Sequence, residues 1–574
     1  MDKSYFFDRN LLALSRRNPE VCSRLSRAET TKGRYKFIES RSGELIPAWV
    51  DPQGAGHPLH SVIDPRKEAK RLIDSVESEG NNGFLILLGL GGGYYAEAAL
   101  ERAETGMALV IEYDIDGLAE LLCHRDYARL FGDARFRILA DNSEEEIKHY
   151  ILNLYQPVLY GGIRVIPLRS RTGLETKSFA PAGSAIEAAI DRVSADYSVQ
   201  AHFGTRWFSN IIRNLGAAEQ FQDVLPPVRR AAISAAGPSL SLQIPRLREK
   251  RKDLFLIAAD TSLPCLLDAG IEPDAVISID CQHISYYHFM DGLPKGALLF
   301  LDLASPPLVA SRSEKPLFFS GGHPLTRYIS RVWKPLPELD TSGGNVTYAA
   351  LSLAEQLGAR EIELYGADFS YPEGISYARG TYIYTFFGNR QNRFSSMEAQ
   401  ASAFLFRTPL EKKRRAAINT YSPDHPAVNP VEDSSGASWY YETKALKFYR
   451  ERLEEKSERM EAAIVPIEGR GAPINISRTE NRKRSLRIFS SGKAAMSAEE
   501  FLCSYREKIA NIPEASKNAA EYLSSLKGED QAIFATLLPA AAAIRRRHPQ
   551  GDFRALLEET KNYCDKEIER GKMS

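Results

Sequence analysis

The chain has 574 residues and a mass of 64.1 kDa, a length that predicts about three or four domains. Hydrophobic residues make up 43% of it and charged residues 26%. These values are ordinary for a soluble globular protein and exclude a disordered chain, a collagen-like repeat and a small disulfide-stabilised scaffold. Lys and Arg together number 74, equal to Asp and Glu, so the net charge is zero. This balance excludes a protein-wide basic field of the kind that binds nucleic acid.

The cysteines and the apolar stretches indicate where the protein works. None of the six cysteines lies in a C-x-x-C pair, so neither a zinc site nor a redox motif is indicated, and scattered thiols fit a reducing compartment. The longest apolar stretch, Ala532 to Ile544, is interrupted by Pro539 and is shorter than the roughly 20 residues of a membrane span. Residues 1–10 hold no apolar signal-peptide core. We therefore expect a cytoplasmic protein with no membrane span.

The first 201 residues predict a mixed segment followed by an α/β domain. Residues 1–82 are charged and mixed, and Pro65 begins a helical pattern for which Asp64 is a plausible cap. A buried-strand run from Phe84 to Leu88 leads into Gly89-Leu-Gly-Gly-Gly93, a helical pattern and a second strand that ends at Glu112. This order of strand, glycine loop, helix and strand predicts a parallel, doubly wound sheet over residues 83–201.

A connecting helix is predicted at 202–225 and a second α/β domain at 226–438. Its predicted strands are 228–234, 254–259, 275–279, 298–303, 317–320 and 361–365, with helical patterns between several of them. Residues 439–574 are rich in Glu, Lys, Arg and Leu with helical spacing. The sequence therefore predicts an α/β protein with two doubly wound, Rossmann-like domains followed by a helical C-terminal region.

The glycine loop at residues 89–93 has two readings. Backbone N–H groups of such a turn can bind a phosphate, and Glu112 lies a few residues beyond the usual position of an acid that binds ribose. The pattern also fits an S-adenosylmethionine site. Without nearby catalytic residues, a tight turn in a structural domain is favoured.

Two turns in the central domain predict anion sites. In Ser234-Ala-Ala-Gly-Pro-Ser-Leu240, Gly237 allows a sharp turn and Ser239 places a hydroxyl beside unpaired N–H groups at a helix start. Thr341-Ser342-Gly343-Gly344-Asn345 likewise precedes a helical run. Asp260, Asp280 and Asp368 each follow a predicted strand, and the carboxyl ends of parallel strands are where α/β proteins bind ligands. Together these features favour a nucleotide-sugar or similar site.

Three parts of the central domain resemble the bacterial sialyltransferases that use CMP-sialic acid. They are Gly237 to Leu240, the stretch 341–364, and Gly366-Ala-Asp-Phe with Ser376-Tyr-Ala378. The longer context, including His60 to Pro65 and 269–274, resembles the motility accessory factor (Maf) flagellin glycosyltransferases over roughly residues 30–475. The central domain is also similar to 6-hydroxymethylpterin pyrophosphokinase (MptE)-like proteins. The resemblance implies a sialyltransferase-like, GT-A-like central domain that attaches pseudaminic, legionaminic or a similar nonulosonic acid to Ser or Thr of flagellin.

The resemblance also implies roles for individual residues. Ser239 matches a serine near the donor phosphate, and Thr341, Ser342 and Gly343 match the second donor-binding turn. Tyr377 matches a tyrosine that contacts the leaving phosphate, and Asp260 and Asp280 stand where asparagines hold the nucleotide. Three departures are visible. Ala236 replaces an asparagine, Ser370 stands where a second tyrosine would be, and no histidine lies between His323 and His425 to match the catalytic one.

We accordingly expect CMP-sugar as donor substrate, flagellin as acceptor, no certain cofactor, with Mg²⁺ left open, and no metal-ligating residues. In this scheme Tyr377 donates to the leaving phosphate, Arg379 binds the carboxylate of the donor and Asp368 is a candidate base for the acceptor hydroxyl. Two alternatives stay open. One is pterin-type pyrophosphokinase chemistry with ATP and Mg²⁺, for which the three aspartates are available. The other is a non-catalytic flagellin-binding export factor.

Overall fold

The computed structural model describes residues 3–30, 33–76, 83–220, 224–415, 439–476, 489–515, 519–549 and 552–572. The chain forms two compact units, and each is described by itself. Unit 1 comprises Met1–Thr205 and Lys508–Asp565, and unit 2 comprises Arg206–Glu507 and Lys566–Ser574.

Unit 1 contains a parallel sheet and a small antiparallel sheet. Its strands are β1 Tyr35–Glu39, β2 Leu45–Val50, β3 Gly56–Pro58, β4 Gly83–Leu88, β5 Thr105–Glu112, β6 Phe136–Ala140 and β7 Ile163–Pro167. The helices of this part of the chain are α1 Lys3–Ser15, α2 Pro19–Leu25, α3 Pro65–Asp74, α4 Tyr94–Glu101, α5 Ile115–His124, α6 Ala128–Gly132, α7 Glu144–Leu154, α8 Pro157–Tyr160, α9 Arg169–Thr172 and α10 Thr176–Glu219. Strands β1 to β3 pair antiparallel, whereas the order β6-β5-β4-β7 is parallel throughout.

The sequence predicted the start of unit 1 well and its end poorly. Asp64 caps α3 as expected, because its side chain accepts a hydrogen bond from the Lys67 N–H at 2.9 Å. The predicted strand, glycine loop, helix and strand are present as β4, α4 and β5. The prediction that α/β alternation continues to residue 201, with a separate helix at 202–225, is wrong. Helix α10 already begins at Thr176, because Ala182, Ala185, Ile186 and Ala189 recur with helical spacing and are buried.

Unit 2 is built on a seven-stranded parallel sheet. The strands of unit 2 are β8 Arg230–Ser234, β9 Phe255–Ala259, β10 Ala275–Ser278, β11 Leu298–Asp302, β12 Pro316–Phe319, β13 Glu361–Tyr365, β14 Tyr371–Pro372, β15 Glu411–Arg414, β16 Trp439–Glu442 and β17 Ala463–Pro466. The helices are α11 Leu240–Lys250, α12 Leu263–Asp268, α13 Pro307–Ala310, α14 Pro324–Val332, α15 Val346–Gln356, α16 Tyr382–Gly388, α17 Met397–Leu405 and α18 Lys444–Arg459, with 3₁₀ turns at Arg251–Asp253, Asp260–Ser262 and His283–Phe289.

The strand order of this sheet is β12-β11-β10-β9-β8-β13-β17, and every neighbouring pair runs parallel. Its strands are short apolar runs because both faces of a parallel sheet are covered by helices. Helix α15 lies against it with Ala349, Ala350 and Ala354 fully buried, and these small side chains allow close approach. The chain order reverses between β8 and β13, which makes the crevice outside their carboxyl ends the expected ligand site of the fold.

The predicted domain boundary at residue 438 divides this unit. Strand β17 pairs with β13 in the main sheet, and β16 joins β14 and β15 in a small antiparallel sheet. Four apolar residues after a highly charged helix gave too weak a strand signal to place β17 from sequence. The chain then becomes helical as predicted, with α19 Ala498–Asn511, α20 Ala519–Ser525, α21 Glu529–Arg547 and α22 Phe553–Lys572. In the described part of the chain, no helix combines the length and the hydropathy that a membrane crossing requires.

Candidate functional site

Polar residues line the carboxyl edge of the unit 2 sheet, one after almost every strand. Ser239 follows β8, Asp260 follows β9, Asp280 follows β10, Asp302 ends β11 and Asp368 follows β13. Because parallel strands end at one edge, the predicted aspartates share that edge as expected. The contacts at this edge divide it into three parts: the crevice between β8 and β13, a group beside β9 and β10, and a turn beside β12.

The crevice between β8 and β13 holds a carboxylate of the protein itself. Asp368 accepts hydrogen bonds from the Ser239 N–H at 2.8 Å and from the Ser239 hydroxyl at 2.5 Å. Both residues are buried, with exposed fractions of 1% for Ser239 and 4% for Asp368. Burial raises the pKa of Asp368, although the Ser239 hydrogen bonds oppose this shift. The Asp368 carboxylate therefore binds the Ser239 N–H and hydroxyl that were expected to bind an anion of the ligand.

The segment 469–472 closes this crevice. The Arg470 N–H donates to the Ser239 hydroxyl at 2.7 Å, and the Ala472 N–H contacts the Asp368 carbonyl at 3.0 Å. Glycine is required here because a Cβ on Gly471 would lie 2.5 Å from the Asp368 Cα, and one on Gly237 would lie 2.3 Å from the Asp368 carboxylate. Phe369 has a φ of +44°, which is strained for a bulky residue and common at functional sites.

The second predicted anion turn does not join the first. The Thr341 hydroxyl donates to the Gly321 carbonyl at 3.0 Å beside β12, and three strands separate β12 from β8. Four interstrand steps of about 4.8 Å amount to roughly 19 Å. In the described ranges, no hydrogen bond links residues 237–240 to 341–344. The two turns are therefore too far apart to hold a single phosphate between them.

The Thr341 turn instead lines its own pocket. Thr341 and Ser342 border a polar cavity of about 440 Å³ together with Arg327 and Lys456. The predicted Gly343 and Gly344 shape the turn: a Cβ on Gly343 would meet the Tyr348 ring at 2.2 Å, and Gly344 has a φ of +71°. These contacts give both glycines a structural role in the turn.

A third group gathers beside β9 and β10. Asp260 is buried and accepts hydrogen bonds from the Ser278 hydroxyl at 2.5 Å and the Thr261 N–H at 2.6 Å. Asp280 is half-buried and accepts the Gln282 N–H at 2.9 Å. Burial raises the pKa of Asp280, and the negative charge of Asp260 raises it further. The two predicted aspartates are therefore electrostatic neighbours.

Tyr377 belongs to this same group. Burial raises the pKa of its phenol, and Tyr382 and Asp260 contribute in the same direction. The Ala378 N–H donates to the Ala236 carbonyl at 3.0 Å, which fixes the Tyr377 segment against the loop after β8. Arg379 is exposed and acts electrostatically on Tyr384.

Several residues of this group were not predicted as site residues. The His288 ring lies 4.6 Å from the Tyr382 ring, and its buried Nδ1 has no hydrogen-bond partner among the residues that the structure describes. Burial raises the pKa of both Tyr377 and Tyr382, and the positive charge of Arg407 opposes this rise. The aromatic richness of 377–387 was a signal for Tyr382, whereas nothing in the sequence marked Arg407.

Asp302 was also missed, although it ends a predicted strand like the other aspartates. Burial raises its pKa to about 6, against hydrogen bonds from the Ala304 and Gly321 N–H groups. A Cβ on Gly321 would lie 2.1 Å from its carboxylate. Asp302 thus connects the end of β11 to the loop that supports Thr341.

In unit 1, the glycine loop is occupied by side chains of the protein. The Leu90 N–H donates to Glu112 at 3.1 Å, and the Gly92 N–H donates to His60 at 2.9 Å. Arg171 pairs with Glu112 at 3.2 Å, and both are 1% exposed. Burial lowers the pKa of His60 to about 3, so it accepts as a neutral ring. Side chains of the protein thus accept the hydrogen bonds of N–H groups that a phosphate would use. This favours the interpretation of the loop as a tight turn in a structural domain.

Among the described residues, no group of three or more His, Cys, Asp or Glu side chains is arranged to hold a metal ion. Two carboxylates of the candidate site, Asp260 and Asp280, interact electrostatically.

Comparison with known proteins places this chain. Residues 206–374 match the family model described as 6-hydroxymethylpterin diphosphokinase MptE-like. The chain is 32% identical to an uncharacterized protein of Treponema pallidum (strain Nichols) over 164 residues, which are 28% of this chain and 78% of that protein. The chain belongs to one family with it. A second uncharacterized protein of Treponema pallidum is 37% identical over 139 residues, 24% of this chain and 49% of its own length.

A solved structure matches the whole chain. The structure of the MAf glycosyltransferase from Magnetospirillum magneticum AMB-1 aligns over 99% of this chain and 95% of its own, with a TM-score of 0.55 and 14% identity. At that identity the likeness shows the fold. The chain therefore has a Maf-like fold that contains an MptE-like domain.

Proposed function

We propose that the chain is a glycosyltransferase that moves a nonulosonic acid from a CMP-activated donor to Ser or Thr of flagellin, in the cytoplasm and in support of flagellar assembly and motility. The observation that carries the proposal is the fold shared with the MAf glycosyltransferase over 99% of the chain. The acidic and aromatic group at the carboxyl edge of the unit 2 sheet adds to it, because ligands of such sheets bind there.

The donor phosphate leaves with a negative charge that the site must stabilise. Tyr377 suits this role because its raised pKa keeps the phenol protonated and able to donate a hydrogen bond. Arg407 is the cation whose charge acts on Tyr377, and we assign it, ahead of the predicted Arg379, to the anionic donor. Thr341 and Ser342 line a separate polar pocket beside β12 with Arg327 and Lys456, and these cations suit an anionic group of the substrate.

A second candidate function rests on the MptE-like match over residues 206–374. A pyrophosphokinase would hold ATP with Mg²⁺, whose ligands are oxygens, and Asp260 with Asp280 offers two neighbouring carboxylates. Asp368 is not free to join them, because Ser239 engages its carboxylate.

Thermal-shift titration of the full chain separates these functions, because a ligand that binds only the native state raises its melting temperature. We expect CMP and CDP to raise the melting temperature and ATP with Mg²⁺ to leave it unchanged. The reverse result would favour the pyrophosphokinase. Flagellin binding without any nucleotide effect would favour the non-catalytic export factor.

Mass spectrometry of flagellin then tests the transfer itself. Flagellin from cells that express the chain is expected to be heavier, by whole nonulosonic acid residues, than flagellin from cells that lack it. Equal masses would count against flagellin as the acceptor.

A further inference from the structure

The acceptor hydroxyl must lose its proton during the transfer, and the residue predicted to take it is poorly placed. Asp368 accepts hydrogen bonds from the Ser239 N–H and hydroxyl and from the Gly471 N–H. The side chain is buried under the segment 469–472, where the Arg470 N–H in turn binds the Ser239 hydroxyl. A general base needs a free lone pair within reach of the substrate, whereas three donors already engage the Asp368 carboxylate and its side chain is buried.

Asp280 differs from Asp368 in both respects. Asp280 follows β10 at the carboxyl edge and is half-buried, whereas Asp368 is buried. Among the described residues, Gln282 alone donates hydrogen bonds to the Asp280 carboxylate. A carboxylate has about four lone-pair positions, so Asp280 keeps more room for a substrate hydroxyl than Asp368, whose carboxylate accepts three hydrogen bonds.

The surroundings of Asp280 favour proton uptake. Asp260, after β9, is the like charge beside it, and burial acts in the same direction. The groups that oppose this rise of the Asp280 pKa are Gln282, through its hydrogen bonds, and then His288 on the 3₁₀ turn after β10. Tyr382 on α16 faces both carboxylates, and Arg206 on α10 acts on the neighbouring Cys281. A carboxylate made more basic by such neighbours is a better base near neutral pH.

We propose that Asp280, and not Asp368, is the general base of the transfer, an inference that rests on the proposed glycosyltransferase function. The acceptor O–H proton moves to a carboxylate oxygen of Asp280. The acceptor oxygen forms a bond to the anomeric carbon of the donor, and the bond from that carbon to the phosphate oxygen breaks with its electron pair leaving on CMP. Asp280 then returns the proton to solvent.

The test compares Asp280→Asn, Asp280→Glu and Asp368→Asn in the full chain, with a CMP-nonulosonic acid as donor and flagellin as acceptor. For Asp280→Asn we expect turnover to fall by about 100-fold or more, the donor KM to change less than about threefold, and the acid limb of the pH–rate profile to disappear. Asp280→Glu keeps a titrating carboxylate and is expected to keep the limb. Asp260→Asn removes the neighbouring charge and is expected to move the limb to lower pH.

The possible results separate this inference from the proposed function. Near-normal turnover by a folded Asp280→Asn chain, or loss of the acid limb in Asp368→Asn instead, would overturn the role of Asp280 and leave the transferase standing. If Asp280→Asn does not fold, a shift of the acid limb to lower pH in Asp260→Asn supports the role, and an unmoved limb counts against it. Absence of transfer by the unaltered chain would overturn both proposals.

Discussion

At the scale of single residues, the candidate site depends on carboxylates that share one sheet edge but differ in environment. Asp368 is enclosed by hydrogen-bond donors, Asp280 is half open, and Asp302 is buried with backbone donors only. Sequence reasoning found the first two from their positions after strands. It assigned the base to Asp368 and nucleotide binding to Asp280. The enclosure of Asp368 was not visible, because its partner Ser239 lies 129 residues away and leaves no local pattern.

Asp302 makes stability depend on pH. Its folded pKa of about 6 lies above the 3.8 of a free side chain, so its contribution is fully present below pH 4 and is lost as the pH rises through 6. Two pKa units correspond to roughly 3 kcal/mol. We expect the free energy of unfolding of the wild type, relative to Asp302→Asn, to fall by about that amount between pH 4 and pH 7 in urea titrations. The exposed Asp253→Asn is the control, and a pH-independent difference for Asp302→Asn would contradict the prediction.

Gly471 tests the enclosure of Asp368. Alanine would place its Cβ 2.5 Å from the Asp368 Cα and carbonyl oxygen, and backbone atoms cannot yield cheaply. We expect Gly471→Ala to lower the free energy of unfolding by about 1–3 kcal/mol, measured by urea denaturation. The matched control in the same unit is Gly216→Ala in α10, which has open space around the new Cβ and should stabilise by about 0.5–1 kcal/mol. Equal effects of the two changes would argue against the tight packing.

At the scale of elements, the sequence predicted the central strands closely and the connections poorly. Strands β8 to β13 are continuous apolar runs between helices, a signal that depends only on local composition. Strand β17 and the segment 469–472 depend instead on tertiary contacts with β13 and Asp368. The turn at Thr341 was predicted correctly as the start of a helix, but its distance from Ser239 follows from the strand order and was not visible.

A substitution at Asn345 tests whether the turn at 341–345 caps helix α15. The Asn345 side chain accepts a hydrogen bond from the Tyr348 N–H at 3.0 Å, as N-cap residues do. We expect Asn345→Ala to lower the free energy of unfolding by about 1 kcal/mol, measured by urea denaturation. Asn345→Asp retains the acceptor and should stay close to the wild type. An equal loss in both variants would show that the cap is not what stabilises the turn.

At the scale of the molecule, neither compact unit is a continuous piece of chain. The unit boundaries fall inside α10, α19 and α22, whereas sequence reasoning placed boundaries at 201, 225 and 438. Composition shifts locate linkers, but they do not reveal that 508–565 belongs with 1–205. The predicted α/β class and helical C-terminal region are confirmed, because both follow from local patterns.

Fragments of unit 2 test the position of its end. Residues 206–438 lack β17 and the segment that closes over Asp368, whereas 206–507 contains both. We expect 206–507 to melt cooperatively in circular dichroism, and 206–438 to show no cooperative transition, because β13 would keep β8 but lose its other parallel neighbour, β17. Both fragments lack Lys566–Ser574, so the comparison is matched. Cooperative melting of 206–438 would restore the boundary at residue 438.

The pairing of Ser239, Asp368 and Ala472 has a consequence for how the protein is made. Since these residues span 239 to 472 in the chain, a ribosome must release more than four-fifths of the polypeptide before the crevice can close. Until then the edge of β13 that pairs with β17 has no partner, and unpaired strand edges attract other chains. Nascent chains stalled before residue 463 should therefore be the form of this protein that depends most on chaperones.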